Sequence, residues 1–405
     1  MKKHLFVLFA CLFAVMIGFG ITMPVLPFYT ERLALAKGAS REAVAIHVSL
    51  LTSVYALMGL LFAPLWGQWS DKVGRRRLVL IGLAGAAATQ VLFGMATSLW
   101  LLYGARIAGG VLSSATLPAA AAYVSDVTSR EERGRGMAWL GTAVSLGTVV
   151  GLALGGMTSP KDLHFFRATF GHFKIDSFSV PFFATAALML LIFVIALRWL
   201  PESLAASDRE PVSAGKTNWR QLGGNLRSLL GLAAAGQFGL AMFESTFALY
   251  AQEKMGYGPK QVGAVFVVCG LVMAVFQVVA VSFLSRRMEA RPQIAAGFGL
   301  MGGGILLLLW WHAMPLVLSA VFVLALGMAL IAPNLAALTS SRGGSHAGAA
   351  LGMQSAANSL GQVGGPLLGG VLFAWQAQAP YWFGGVFLLG LAALAGRKEK
   401  GDSSC

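Results

Sequence analysis

Charged residues are scarce: 11% of the 405 positions, against about 25% in soluble globular domains. That shortage excludes a protein whose surface faces water throughout. Acids are scarcer still, with 16 Asp and Glu against 30 Lys and Arg. The resulting net charge of +14 would suit a nucleic-acid binder only if the cations gathered on one folded face. Here they fall in short tracts between apolar runs, so nucleic acid is set aside as a partner. The three cysteines are Cys11, Cys269 and Cys405. Two sit inside apolar runs and one ends the chain, which excludes a disulfide framework and a thiolate metal site. His164 and His172 share one polar stretch without other ligands at metal spacing, and a plain surface loop is expected there. The chain has no H-E-x-x-H, no G-x-S-x-G and no P-loop. No enzyme, no ATP drive and no cofactor are expected.

What fills the chain instead is apolar sequence, 57% of all residues. Leu5 to Tyr29, Leu78 to Tyr103, Pro181 to Leu200 and Ile305 to Leu338 each supply the roughly 20 apolar residues a bilayer span needs. The whole divides into about twelve spans, centred near residues 17, 57, 88, 112, 146, 190, 240, 271, 301, 326, 361 and 387. The first run continues to Tyr29, past the roughly 7–15 apolar residues of a signal peptide, so a retained span is expected. Basic residues cluster in alternate loops. Lys2, Lys3, Lys72, Arg75, Arg76, Arg77, Arg130, Arg133, Arg135, Arg286, Arg287, Arg291, Arg342, Arg397, Lys398 and Lys400 fall on one side of an even-span arrangement. By the positive-inside rule both termini are cytoplasmic. The longest polar stretch, Pro201 to Arg227, divides the chain. The expected organisation is a six-helix half over 1–200, a cytoplasmic linker over 201–227, and a second six-helix half with a short tail over 228–405.

The halves repeat. Ser145-Leu146-Gly147 with Gly151, Gly155 and Gly156 recurs as Ser359-Leu360-Gly361 with Gly365, Gly369 and Gly370, in the same register and half a chain away. Three glycines at i, i+4 and i+8 share one helix face, where a second helix can approach at backbone distance. Between spans 2 and 3 the chain reads Gly67-Gln68-Trp69-Ser70-Asp71-Lys72-Val73-Gly74-Arg75-Arg76. Arg106 lies inside span 4, followed by Gly109 and Gly110. Glu244 alone among the acids lies well inside an expected span, on a face with Ala233, Gln237, Ala241, Ala248 and Ala251. Phe238, Met242 and Leu249 point the other way, and that second face is expected to meet lipid. A carboxylate so placed is costly when ionised, so its proton should be exchangeable. The alternative for Glu244 is a structural ion pair, with Arg106 as the partner.

The loop spacing G-x-x-x-D-x-x-G-R-R resembles the signature loop of the major facilitator superfamily. Two parallel six-span copies are the plan of that superfamily. The resemblance implies an all-α polytopic membrane fold of twelve transmembrane helices in two six-helix halves. It implies that Gly67, Asp71, Gly74, Arg75 and Asp126 form a conformational latch, with Asp71 at a helix N-terminus and Arg75 paired with Asp126. A solvated turn with topogenic charges is the other reading. Arg106 resembles the buried arginine of the family's span-4 motif, for which a proton-relay role is implied; a snorkelling arginine near the outer interface is the alternative. Span 5 resembles the antiporter motif of drug/proton exchangers, G-x-x-x-G-P-x-x-G-G, but Leu152 stands where that motif has proline. Span 11 keeps it as Pro366. Ordinary small-residue packing explains the glycines equally.

Span 1 ends Gly18-Phe19-Gly20-Ile21-Thr22-Met23-Pro24-Val25-Leu26-Pro27 and span 7 ends Phe243-Glu244-Ser245-Thr246-Phe247-Ala248-Leu249-Tyr250. Both resemble twelve-span tetracycline and quinolone efflux pumps of bacteria, a resemblance that covers essentially the whole chain; in the quinolone pumps the position matching Glu244 is acidic. The function so implied is proton-driven export of hydrophobic or amphipathic small molecules by alternating access. Residues expected to line the substrate path are Tyr55, Met58, Gln237, Phe247, Gln277, Asn334, Gln354 and Asn358. The expected partners are the lipid bilayer, a small-molecule substrate and protons, and the chain is expected to act as a monomer in the bacterial cytoplasmic (inner) membrane. An importer or lipid-linked substrate transporter on the same fold is the first alternative. A membrane sensor or enzyme is the more distant one.

Overall fold

The computed structural model describes residues 3–128, 132–158, 168–170, 173–175, 179–203, 219–279, 288–344 and 347–396. Expectations that fall on Lys2, Arg130, His164, His172, the linker over 204–218, Arg286, Arg287, Arg397, Lys398, Lys400 and Cys405 lie outside the described residues. Thirteen α-helices follow one another: α1 (Lys3–Leu35), α2 (Arg41–Val73), α3 (Arg75–Gly94), α4 (Leu99–Ser113), α5 (Thr116–Val127), α6 (Arg133–Thr158), α7 (Val180–Trp199), α8 (Trp219–Met255), α9 (Pro259–Val279), α10 (Ala290–Leu307), α11 (Met314–Gly343), α12 (Ala347–Trp375) and α13 (Ala379–Gly396). Nine stretches among the described residues are helical, long and apolar enough to cross a membrane. One of them, Leu99–Val127, joins α4 to α5. The break follows from Pro118, which has no N–H to give the carbonyl of Ser114, so the helix restarts at that turn. With α4 and α5 taken as one, twelve helical segments remain, and each expected span centre falls inside one of them. The segment between α6 and α7 carries a small hairpin, β1 (Ala168–Phe170) antiparallel to β2 (Phe173–Ile175), which hydropathy did not foretell.

The chain groups into two compact units. The first is Met1–Ala214 with Gly256–Val267, and the second is Gly215–Met255 with Val268–Cys405. The twelve residues that open α9 thus group with the first unit, although they follow the linker in sequence.

Each unit is organised about one intimate helix pair, α1 with α6 and α8 with α12, the two most extensive helix contacts in the chain. The repeated glycines make both. A side chain on Gly147 would strike the Phe13 carbonyl and Met16; on Gly151, the Ile17 carbonyl and the Gly20 backbone; on Gly155, the Ile21 carbonyl and Pro24. In the second unit Gly361 lies against the Ala234 carbonyl and Phe238, Gly365 against the Phe238 carbonyl, and Gly369 against Met242 and Thr246. Gly156 meets Gly263 and Pro259 of the α9 start. Pro366 and Gly370 are buried in α12. In the span-5 helix Leu152, which stands in for the motif's proline, is buried. The approach at backbone distance read from the spacing is therefore present in both copies.

A second repeat pins the far ends. Tyr29 of α1 donates its hydroxyl hydrogen to the carbonyl of Ala96 (2.6 Å) beyond the end of α3 and stacks on Phe182. Tyr250 of α8 donates to the carbonyl of Leu308 (3.3 Å) at the end of α10 and packs on Tyr381. Each tyrosine satisfies a carbonyl at a helix C-terminus, a group with no partner inside its own helix.

The turn from α2 to α3 shows how a far-off residue completes a helix end. Gly74 has φ +107°, a conformation other residues avoid. A β-carbon there would also collide with the Glu202 carboxylate. Gly74 has no side chain to cap α3, and Glu202 supplies the cap from beyond α7: its Oε1 accepts from the N–H groups of Arg75 (2.8 Å) and Arg76 (3.3 Å). In return Arg76 Nη2 donates to the Leu197 carbonyl (2.6 Å) in the last turn of α7. An anion thus sits at the N-terminus of α3 and a cation at the C-terminus of α7, each the sign the helix end favours. Tyr123 donates to the Pro201 carbonyl and Ser203 to Asp126. Residues 201–203, read from sequence as the start of a free linker, are docked onto the first unit.

Two outcomes follow. Gly151→Leu forces a side chain into backbone that cannot yield, at a cost of about 1–3 kcal/mol; the thermal midpoint of the purified protein should fall, whereas Gly141→Ala, with nothing within 4 Å of the added carbon, should hold or raise it. Glu202→Ala removes the cap of α3, about 0.5–2 kcal/mol by analogy with N-cap loss. Its midpoint should drop further than that of Glu202→Gln, which keeps an acceptor.

Candidate functional site

In the first unit Leu102, Ala105, Arg106, Gly109 and Gly110 are buried on one face of α4. Gly110 lets α2 settle against it, meeting the Tyr55 carbonyl and the Cβ of Met58, and Gly109 lies under the Tyr55 ring. That approach places Tyr55 over the guanidinium of Arg106, 5.2 Å from ring centroid to Cζ, with Phe93 of α3 at 5.5 Å. Arg106 is 3% exposed and does not snorkel, which corrects that alternative: both contacts are ring faces, which attract a cation. Its Nε has no hydrogen-bond partner. Tyr55 bonds Ser113 through their hydroxyls (3.0 Å), and Ser113 also donates to the Gly109 carbonyl. A cavity of about 30 Å³ opens beside the guanidinium, lined by Thr22, Tyr55, Thr89, Gln90 and Ser113 among others.

In the second unit Glu244 stands on α8. It is partly exposed, whereas Phe243, Ser245, Thr246, Phe247 and Ala248 around it are buried. Ser245 and Thr246 turn their hydroxyls to the Met242 carbonyl. Glu244 has no hydrogen bond and no ion pair within its unit among the described residues. The expected lipid-facing side of α8 is overturned. Met242 is 1% exposed and packs on Gly369 and Gly384; Phe238 lies on Gly365, and Leu249 is buried. That face is the seam with α12 and α13, and a residue opposite a cavity need not meet lipid when another helix covers it.

The residues expected to line a substrate path separate. Tyr55 borders the cavity beside Arg106, and Met58 packs on Gly110. Gln237 and Asn358 are partly exposed and Gln277 is exposed. Phe247 is fully buried and paired with Phe243 at 5.1 Å, so it is a core residue and not a lining one. Asn334 bridges α11 to α10: its Nδ2 donates to Gln293 Oε1 (3.0 Å) and to the Leu330 carbonyl, which makes it a helix-pairing residue here. Gln354 is buried with Oε1 unpartnered.

Of the loop residues, Arg75 pairs with Asp126, Nε to Oδ2 at 3.2 Å. Gly74 is required as described above. Nothing lies within 4 Å of a β-carbon on Gly67, so among the described residues no close approach of another element requires glycine there. The side chain of Asp71 lies outside the described residues. Sequence reasoning missed Gln90, a buried amide near the C-terminal end of α3 that lines Arg106's cavity. A polar residue inside a span was the available signal, the same that singled out Arg106. It also missed Glu202, for which no local pattern exists, because the contact joins residues 127 positions apart.

The sequence matches the profile of the Major Facilitator Superfamily over residues 8–348 and again over 259–403. It is 28% identical to Multidrug resistance protein 2 of Bacillus subtilis (strain 168), covering 98% of this chain and 96% of that protein. It is 24% identical to the Quinolone resistance protein NorA of Staphylococcus aureus, covering 98% and 97%. Among solved structures, a bacterial homolog to the human lysosomal transporter Spinster superposes with a TM-score of 0.76 at 14% identity over 98% of this chain and 96% of that one. The human organic anion transporter MFSD10 gives 0.67 at 23% identity over 97% and 99%. With the same glycine seam in both units and a match to the profile along nearly the whole length, the chain belongs to the major facilitator superfamily and is a multi-pass membrane transporter.

Proposed function

We propose that this transporter exports hydrophobic or amphipathic small molecules in exchange for protons, by alternating access of its two halves. The observation that carries the reading is Glu244: a carboxylate within a span, with no ion pair and no hydrogen bond in its unit among the described residues, partly open in an otherwise closed stretch of α8. A structural carboxylate in such a place is normally paired. An unpaired one can hold a proton and give it up to a cationic substrate, and competition for one site is the least that antiport requires. The names of the relatives point the same way, to multidrug and quinolone resistance. Cytoplasmic termini and an inner-membrane location follow from the basic loops. Arg75 with Asp126, and Asp71 beside them, would act as the cytoplasmic latch. A single chain holds both halves, so a monomer suffices.

The test uses energised inverted vesicles, fluorescent lipophilic cations and tetracycline, with and without a pH gradient. Wild type should accumulate the cations only with the gradient. Glu244→Gln mimics the protonated carboxylate and should lower cation accumulation at least tenfold at normal membrane abundance, a loss of about 1.4 kcal/mol or more in driving interaction. Wild-type cation transport with unchanged pH dependence in Glu244→Gln would remove Glu244 from the coupling role.

A further inference from the structure

A buried guanidinium needs a counter-charge, and the first unit does not provide one. Arg106 lies in the middle of its unit, 3% exposed. No Asp or Glu occurs in the segments 1–30, 43–70, 72–125, 133–161 or 180–201, so every helix wall around Arg106 in that unit lacks a carboxylate between its ends. Tyr55 and Phe93 meet the cation with their ring faces. Ring faces attract the charge but accept little from N–H groups lying in the guanidinium plane, and Nε is left buried without an acceptor.

The surrounding polar groups point to the missing species. Thr22, Thr89 and Ser113 each spend their hydroxyl hydrogen on a backbone carbonyl of their own helix, those of Gly18, Ala86 and Gly109. Gln90 is buried, and its Oε1 is also without a partner. Its amide can turn over to present NH₂ in the same place, because the two orientations differ only in which end donates. Arg106 and Gln90 both line the cavity, and with the amide turned over both would present donors to it beside a positive charge. The cavity's volume of about 30 Å³ holds one water-sized species. Water would satisfy a hydrogen bond and leave the charge standing; a small anion answers both.

We infer that the Arg106 cavity is an anion-binding site for one small monovalent group, held by the guanidinium and the Gln90 amide beneath the Tyr55 ring. Chloride from the medium and a carboxylate on the transported molecule share that chemistry. In the second case the site selects substrates that carry an acid. The site belongs to the first unit alone and does not depend on how protons are coupled.

The full-length purified protein tests this. Its thermal midpoint is followed against sodium chloride, formate and gluconate at constant ionic strength. Chloride and formate should raise it by several degrees along a saturating curve, and gluconate, too large for the cavity, should not. Arg106→Gln should flatten the chloride and formate curves. The two sources then separate: a carboxylate-bearing substrate displaces chloride and its methyl ester does not if the carboxylate is the ligand, whereas neither displaces it if chloride is resident. Bromide added to wild-type crystals reports without any variant, as an anomalous peak within hydrogen-bond distance of Arg106. The inference is overturned if all three salts act alike, if Arg106→Gln keeps the chloride response, or if the cavity shows water alone because Arg106 takes its counter-charge from a carboxylate elsewhere in the chain.

Discussion

Helices already in hydrocarbon gain little by hiding apolar side chains from one another, because lipid tails are as apolar as leucine. What holds them together is close approach, and in this chain close approach is made by glycine. Gly147, Gly151 and Gly155 press α6 onto the backbone of α1, and Gly361, Gly365 and Gly369 press α12 onto α8. The rest of each unit is arranged on its pair. The Tyr29 and Tyr250 hydroxyls extend the two inner helices to the carbonyl ends of α3 and α10. With backbone against backbone along each seam, polar side chains on the remaining faces of α1 and α8 can border cavities.

Against that packing the unpaired ionisable groups stand out. The charges around the α2–α3 turn are matched: Arg75 with Asp126, Glu202 with the start of α3, Arg76 with the end of α7. These contacts tie the α2–α3 turn to the ends of α5 and α7. Among the described residues Arg106 and Glu244 have no ion pair within their own units, one a cation and one a carboxylate inside the spans. Keeping a charge unmatched in a membrane protein is costly, and such residues generally serve a moving ligand.

The fold was legible in the sequence because hydropathy and glycine spacing are local signals. The span centres needed only runs of apolar residues, and both seams needed only glycines four apart. Arg106 and Glu244 were legible for the same reason: each is the wrong residue type for its run. Contacts between distant segments were not legible. Glu202 looks like any linker acid, yet it caps α3. Asn334 and Phe247 suit a lining role by residue type, but residue type does not show which neighbour covers a side chain, and α10 and the Phe243 ring occupy theirs. The same blindness assigned Met242 to lipid when α12 and α13 cover it. The tyrosine clamp had a faint trace, Pro181-Phe182 and Pro380-Tyr381 at the start of the last span of each half. It becomes readable only once the packing shows what those aromatics meet.

The central claim is that one exchangeable proton on Glu244 is traded for a cationic substrate. The most direct measurement is proton release from the purified protein in weakly buffered detergent near neutral pH, as a lipophilic cation is titrated in. Competition for a single carboxylate predicts release approaching about one proton per cation bound, and none from Glu244→Gln. Binding of the cation without proton release in the wild type, or equal release from wild type and Glu244→Gln, would contradict the account.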